Sequence, residues 1–301
     1  MRGAVVEIGG VPLRNRLANG VMRLEDGYAP FSNSLSPPIG EWLVRSETIP
    51  SEYQDSPRKT SPPQRWEIAT YGPKRLFRLW HSPREDRLWK VALMEPRCAH
   101  GDIWIDDPSA ARAPLSFLDL LLWSCLLLYH GGMIVHAAAI KQEDGVYLFP
   151  GIAGSGKSTW AELISARARF VVLGDDKVVV RHRETGWEVY GTPWNSRPGY
   201  AVAQSGPLKS ILFLEPDKRN VSTGLPPSEI IHHLLASAFL PFSEGEDYSL
   251  ALSLIGDLVD TVPACRFGFM PDETAVEYFE DVALEQFNHE VHEGREGKLN
   301  D

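Results

Sequence analysis

Nine consecutive residues, Gly151, Ile152, Ala153, Gly154, Ser155, Gly156, Lys157, Ser158 and Thr159, contain the spacing G-x-x-x-x-G-K-[ST]. They follow the apolar run "VYLFP" and lead into "STWAELISARA", whose apolar spacing is helical, so the strand-before and helix-after context is present as well. Glycines at 151, 154 and 156 permit the backbone to curl until successive N–H groups converge on phosphate oxygens, and the helix start adds a favourable dipole. Lys157 would reach the β and γ phosphates of ATP, and the Ser158 hydroxyl would be a ligand for Mg²⁺. The plain alternative is a glycine-rich strand-to-helix turn with a solvent lysine.

A second group of polar residues falls one helix later. Asp175 and Asp176 interrupt the apolar run "FVVLGDDKVVV", and a parallel strand there would bring both carboxylates to the phosphate edge of a sheet. One can bind Mg²⁺ while the other accepts a proton from an attacking hydroxyl. Either aspartate alone could instead cap a turn. His136, in "MIVHAAAI", stands just before the loop strand; its strand should lie beside that strand, so the ring could contact Asp175 and orient it. A hydrogen-bonded core histidine is the alternative.

These residues need an α/β framework, and the chain can supply one. At 301 residues, 43% hydrophobic and 23% charged, it can bury a sizeable core in one or two domains. The first third reads as β-rich, with "RWEIATY", "RLFRLWH", "RLWKVAL" and "DIWID" as short strands, preceded by a Ser- and Pro-rich stretch from 32 to 63 that reads as a long loop or extended wrap. From 114 the segments lengthen: a helix near Leu115 to Tyr129, strands at "MIVHAAAI" and "VYLFP", then later strands at "WEVYGTPW", "KSILFLE" and "ACRFGFMP" with helices at "SEIIHHLLASAFL" and "SLALSLIGDLVDTV". We therefore expect a β-rich region over 1–113 that could shape an acceptor-binding surface or a regulatory part, a core over 114–288, and a charged frayed tail over 289–301.

Charge and cysteine usage narrow the partners. A formal net charge of -10 argues against nucleic acid or an anionic membrane surface as a partner. The apolar stretch "PLSFLDLLLWSCLLLYHGGMIVHAAAI" is broken by Asp119, His130, Gly131 and Gly132, and reads as a buried helix followed by a buried strand, not a membrane span. Cys98, Cys125 and Cys265 stand apart with no CxxC pair, which indicates neither a disulfide framework nor a zinc site. With an N-terminus that lacks a long apolar core, the expected location is the cytoplasm. His232 and His233 are adjacent on an expected helix and have no third ligand at a metal-binding spacing.

The pattern "VHAAAI … VYLFPGIAGSGKST … FVVLGDDKVVV" resembles the HPr kinase/phosphorylase catalytic core and its kinase-like relatives, and "YGTPW" and "GPLKSILFLE" extend the likeness from roughly Leu115 to Pro271. The resemblance implies a fold of the phosphoenolpyruvate carboxykinase-like P-loop type, a mixed sheet flanked by helices (α/β, or α+β with a mixed sheet). It also implies that Asp175 is the general base paired with His136, and that Asp176 joins Ser158 around Mg²⁺. Arg197, in "YGTPWNSRPGY", would stabilise the transferring phosphoryl group, or is a surface arginine of a loop. The expectation is an ATP- and Mg²⁺-dependent kinase acting on a hydroxyl, serine of a peptide or protein before free serine, with a nucleotide-binding regulatory module as the alternative class. Family members often assemble, so a homo-oligomer is expected on the resemblance alone.

Overall fold

The computed structural model describes residues 3–19, 24, 26–32, 34–54, 65–82, 87–106, 117–143, 145–242 and 245–283. The chain is a mixed α/β protein with two mixed sheets, and it divides into two compact units: 1–130 with 241–247, and 131–240 with 248–301. The tail over 289–301 and the boundary expected at 113/114 both lie outside the described residues. The helix expected near 115–129 is counted with the first unit.

In the first unit, seven strands form one sheet: β1 (Ala4–Ile8), β2 (Val11–Leu17), β3 (Glu41–Arg45), β4 (Trp66–Tyr71), β5 (Lys74–Trp80), β6 (Leu88–Met94) and β7 (His100–Ile105), in the order β1-β2-β3-β7-β6-β5-β4. The four strands read from aromatic and branched residues are β4 to β7. The stretch expected to be a long loop or extended wrap contributes β3, a regular strand that sits inside the sheet, parallel to β2 and to β7. Its alternation explains this: Trp42 and Val44 are buried with 0% exposure, and the Trp42 indole donates to the Cys98 carbonyl at 2.8 Å. Helix α1 (Phe117–Leu128) is buried at every position after Phe117, and its Trp123 meets Trp42 edge-on, ring centres 5.4 Å apart. Among the described residues no helix is long and apolar enough to cross a membrane.

The second unit holds β8 (Gly132–Gln142), β9 (Gly145–Pro150), α2 (Lys157–Ser165), β10 (Val171–Gly174), β11 (Lys177–Arg183), β12 (Gly186–Tyr190), β13 (Ser205–Pro216), β14 (Val221–Gly224), α3 (Pro227–Ser237), α4 (Gly245–Thr261, from Tyr248 on), β15 (Ala264–Phe269) and α5 (Glu273–Tyr278). The first half of β8 pairs with β11, and its second half pairs with β9 and β10. β13 likewise passes from β12 to β9 and then to β15, so β8, β11, β12, β13 and β9 pair in a closed cycle. β9, β13 and β15 run parallel, and their shared edge is where a ligand crevice forms in such sheets.

Core packing fixes α2 against that parallel edge. Its Trp160, Ala161 and Ile164 are fully buried, at the spacing of one helical face. The Trp160 ring lies 5.3 Å from Phe149 of β9, 5.3 Å from Phe267 of β15 and 5.5 Å from Phe279. Truncation of such a fully buried tryptophan costs about 3–5 kcal/mol, so the start of α2 is held where the sheet ends.

Candidate functional site at the parallel edge of the second unit

The loop from Gly151 to Gly156 joins β9 to α2. It is tied to the neighbouring strand by Gly151 N–H, which donates to the His136 carbonyl at 3.1 Å. Gly154 and Gly156 hold φ of 87° and 96°, the left-handed region that disfavours any side chain. Gly156 has a second constraint: a Cβ there would stand 2.8 Å from Phe269 Cζ. Gly156 also caps α2 without a side-chain hydrogen bond, so the N–H groups of the first helical turn are left to water or a ligand.

Lys157 is the buried cation of this loop, at 4% exposure. Its ammonium donates to the carbonyls of Gly151 at 2.7 Å and Ile152 at 2.8 Å, bracing the loop from inside. Burial pulls its pKa below the ordinary 10.5, with Asp176 and Asp175 acting in the opposite sense. Ser158 and Thr159 follow on the exposed side of the same turn, and the tip residues Ile152, Ala153 and Gly154 are exposed as well, Ile152 at 61%.

The two aspartates arrive by a route different from the expected one. β10 and β11 both pair antiparallel with β8, and they flank the two aspartates as consecutive segments along one edge of that strand. β8 is itself antiparallel to β9, so β10 runs in the same sense as the loop strand with β8 lying between them. The carboxylates therefore still emerge at the edge that carries the loop. Ala137 N–H donates to the Asp176 carbonyl at 3.1 Å, and Lys177 is paired in register with His136.

Their side chains have separate partners. His136 Nε2 lies 3.2 Å from Asp176 Oδ1, and Lys177 Nζ lies 2.8 Å from Asp176 Oδ2. The expected pairing of His136 with Asp175 is thus corrected: β8 brings the ring to Asp176. Burial first, then Lys157, lowers the His136 pKa below 6.5, outweighing the pull of Asp176, so the ring is neutral at pH 7 and can donate one N–H. Asp175, at 2% exposure, is held instead by Ser196, whose N–H donates to Oδ1 at 3.1 Å and whose hydroxyl donates to Oδ2.

Asn195 sets that arrangement. Its Oδ1 accepts from Asp175 N–H at 3.0 Å, and its Nδ2 donates to the carbonyls of Thr192 at 2.6 Å and Tyr200 at 3.1 Å. Gly174 makes room for it, since a Cβ there would stand 2.7 Å from Asn195 Oδ1. Thr192, fully buried, donates its hydroxyl to the Lys177 carbonyl at 2.5 Å. Asn195 and Ser196 are the site residues that sequence reasoning missed, although the segment "YGTPWNSRPGY" contains an asparagine of the kind that bonds nearby backbone.

Arg197 goes elsewhere. Its guanidinium pairs with Glu162 of α2 at 3.0 Å, on an exposed surface, and its neighbour Ser196 lines the cleft. Lys209 of β13 lies across Gly145, at the opposite end of β9 from the loop. His232 is exposed, and the His233 ring lies tilted against Phe213 with ring centres 4.8 Å apart.

His136, Gly154, Lys157, Ser158, Asp175 and Asp176 together line one cleft of about 350 Å³, within the size range of small-ligand sites. It offers unfilled helix N–H groups and a buried ammonium on one wall and two carboxylates on the other. Such a wall pair can hold an anion and place a proton acceptor beside it. Among the described residues no group of three or more His, Cys, Asp or Glu side chains stands ready to hold a metal ion. No protein-family model matches the chain, and no curated protein matches it significantly.

Proposed function

We propose that this chain is an ATP- and Mg²⁺-dependent kinase, HPr kinase-like in its P-loop core, that transfers the γ-phosphoryl group to a hydroxyl, with a serine of a peptide or protein as the acceptor. The observation that carries this reading is the meeting, in one cleft, of the buried Lys157 and glycine loop with the buried Asp175. The loop from Gly151 to Thr159 would cradle the phosphates, with Lys157 turning from its own carbonyls to the β and γ oxygens. Asp175 would accept the proton of the attacking hydroxyl.

Two residues fit Mg²⁺. Ser158 and Asp176 line the same cleft, and with only these two protein groups the ion would complete its shell from phosphate oxygens and water, as Mg²⁺ does at phosphate sites. When bound, the ion neutralises charge building between the phosphates. His136 and Lys177 would fix the orientation of Asp176, so we assign them as positioning residues. Three buried free thiols support a reducing cytoplasmic setting.

The experiment is transfer from γ-labelled ATP with Mg²⁺ to free serine, hydroxyl-bearing peptides and cell extract, wild type beside Asp175→Asn. Label on a peptide or protein that is lost in the variant supports the reading, and label on free serine alone corrects the acceptor class. If both proteins bind ATP and neither transfers, the regulatory-module reading replaces it.

A further inference from the structure

We propose that Ser196 is itself a phosphoryl acceptor of this cleft, so that the chain phosphorylates its own hydroxyl at the position an added acceptor must otherwise take. The inference rests on the kinase reading above. Its evidence is the pair of bonds by which one residue occupies both oxygens of the candidate base: Ser196 N–H on Asp175 Oδ1 at 3.1 Å and Ser196 Oγ–H on Asp175 Oδ2. A general base must lie within hydrogen-bond reach of the proton it removes, and Ser196 already meets that condition.

Three further facts agree. Ser196 is exposed and lines the same cleft as Gly154, Lys157 and Ser158, so its oxygen opens onto the space where phosphate would sit. Asn195 anchors it through Asp175 N–H and the Thr192 and Tyr200 carbonyls, so the hydroxyl is held in place and not merely passing by. The other cleft hydroxyls, Ser158 and Thr159, belong to the start of α2, on the wall assigned to the phosphates.

In the step itself, Asp175 takes the Oγ proton as an Oγ lone pair forms the bond to the γ-phosphorus. The bond from that phosphorus to the β–γ bridging oxygen breaks, and ADP leaves with the electron pair. The phosphoserine then stands beside Asp175 and Asp176, and this repulsion should weaken renewed ATP binding.

The test uses the full chain alone with ATP and Mg²⁺, followed by intact mass and phosphosite mapping, with ATP affinity measured before and after. A single phosphoryl group on Ser196 is expected, at a rate independent of protein concentration, absent in Ser196→Ala and retained as a hydroxyl modification in Ser196→Thr. ATP affinity of the modified protein should fall. A protein that binds ATP but leaves Ser196 unmodified overturns the inference, whatever it does to added hydroxyls. So does a rate that rises with protein concentration. Failure to bind ATP at all overturns the kinase reading as well, which separates the two.

Discussion

His136 Nε2 lies 3.2 Å from Asp176 Oδ1, while Asp175, the next residue along the chain, is bonded to Ser196. Two adjacent carboxylates thus sit in different environments, and different environments are how one site divides two roles. Asp175→Asn is expected to lower phosphoryl transfer by about a hundred- to ten-thousand-fold while leaving ATP affinity close to wild type. Asp176→Asn should instead raise the Mg²⁺ concentration needed for ATP binding, and His136→Ala should do the same more weakly. Mg²⁺ titrations of ATP affinity beside single-turnover rates distinguish these, and an equal loss of both quantities in all three variants would refute the division.

Lys157 braces its own loop through the Gly151 and Ile152 carbonyls. Lys157→Met is therefore expected to abolish measurable ATP binding, through loss of the charge on the phosphates, and also to lower the melting temperature. A hydrogen bond made by a charged group contributes about 1.5–3 kcal/mol, which is the size of the stability change to look for by thermal unfolding.

Gly154 and Gly156 separate two reasons for a glycine. Both hold a left-handed φ, but only Gly156 faces a neighbour, Phe269 Cζ at 2.8 Å from an added Cβ, whereas nothing lies within 4 Å at Gly154. Gly154→Ala should cost about 1–2 kcal/mol from backbone strain alone. Gly156→Ala adds a clash with the core of α2 and should cost more, with a larger loss of ATP affinity. Chemical denaturation of the two variants side by side gives the comparison.

Some of this was legible in the residues and some was not, for physical reasons. The elements β8, β9 and α2 announce themselves because long apolar runs and a glycine loop have period and punctuation. β3 hides because five residues, Glu41–Arg45, lie among Ser and Pro, and only the alternation of Trp42 and Val44 marks them. The aspartate pair could be placed at the sheet edge, but the neighbour of β10 could not, since a four-residue strand carries no sign of whether it pairs parallel or antiparallel. Asn195 and Ser196 meet Asp175 across 20 and 21 residues through side-chain to backbone bonds, which leave no periodic trace. Arg197, one residue on, had the more suggestive charge, and the backbone turned it to Glu162.

The first unit provides a prediction independent of nucleotide. Glu67 of β4 and Arg78 of β5 are directly opposed in register, and both are almost fully buried, with Arg78 Nη2 2.5 Å from Glu67 Oε2. Removing the carboxylate takes the opposing charge from a buried guanidinium, so Glu67→Ala should cost about 3–5 kcal/mol, while the double change Glu67→Leu with Arg78→Met should recover most of it. Urea unfolding of the three proteins decides, and a double variant no better than the single would show that the pair is net stabilising.

Acid unfolding reports on a second polar cluster in the same unit. Burial alone would push the Asp247 carboxyl up, but hydrogen bonds from Arg75 and Tyr129 outweigh it and hold the pKa below 3.8. Tyr129 Oη donates to Asp247 Oδ1 at 2.5 Å, and Arg75 Nη2 donates to the same oxygen at 2.9 Å. Because the folded value is depressed, the unfolded chain binds the proton first as pH falls, so this stabilisation is complete above about pH 4 and is lost as pH drops through the folded pKa. Asp247→Asn should cost roughly 1.5–3 kcal/mol at neutral pH and give a shallower loss of stability below about pH 4 than the wild type. Stability curves at a series of acid pH values read both effects, and parallel curves for the two proteins would show that Asp247 is not the group whose protonation loosens this unit.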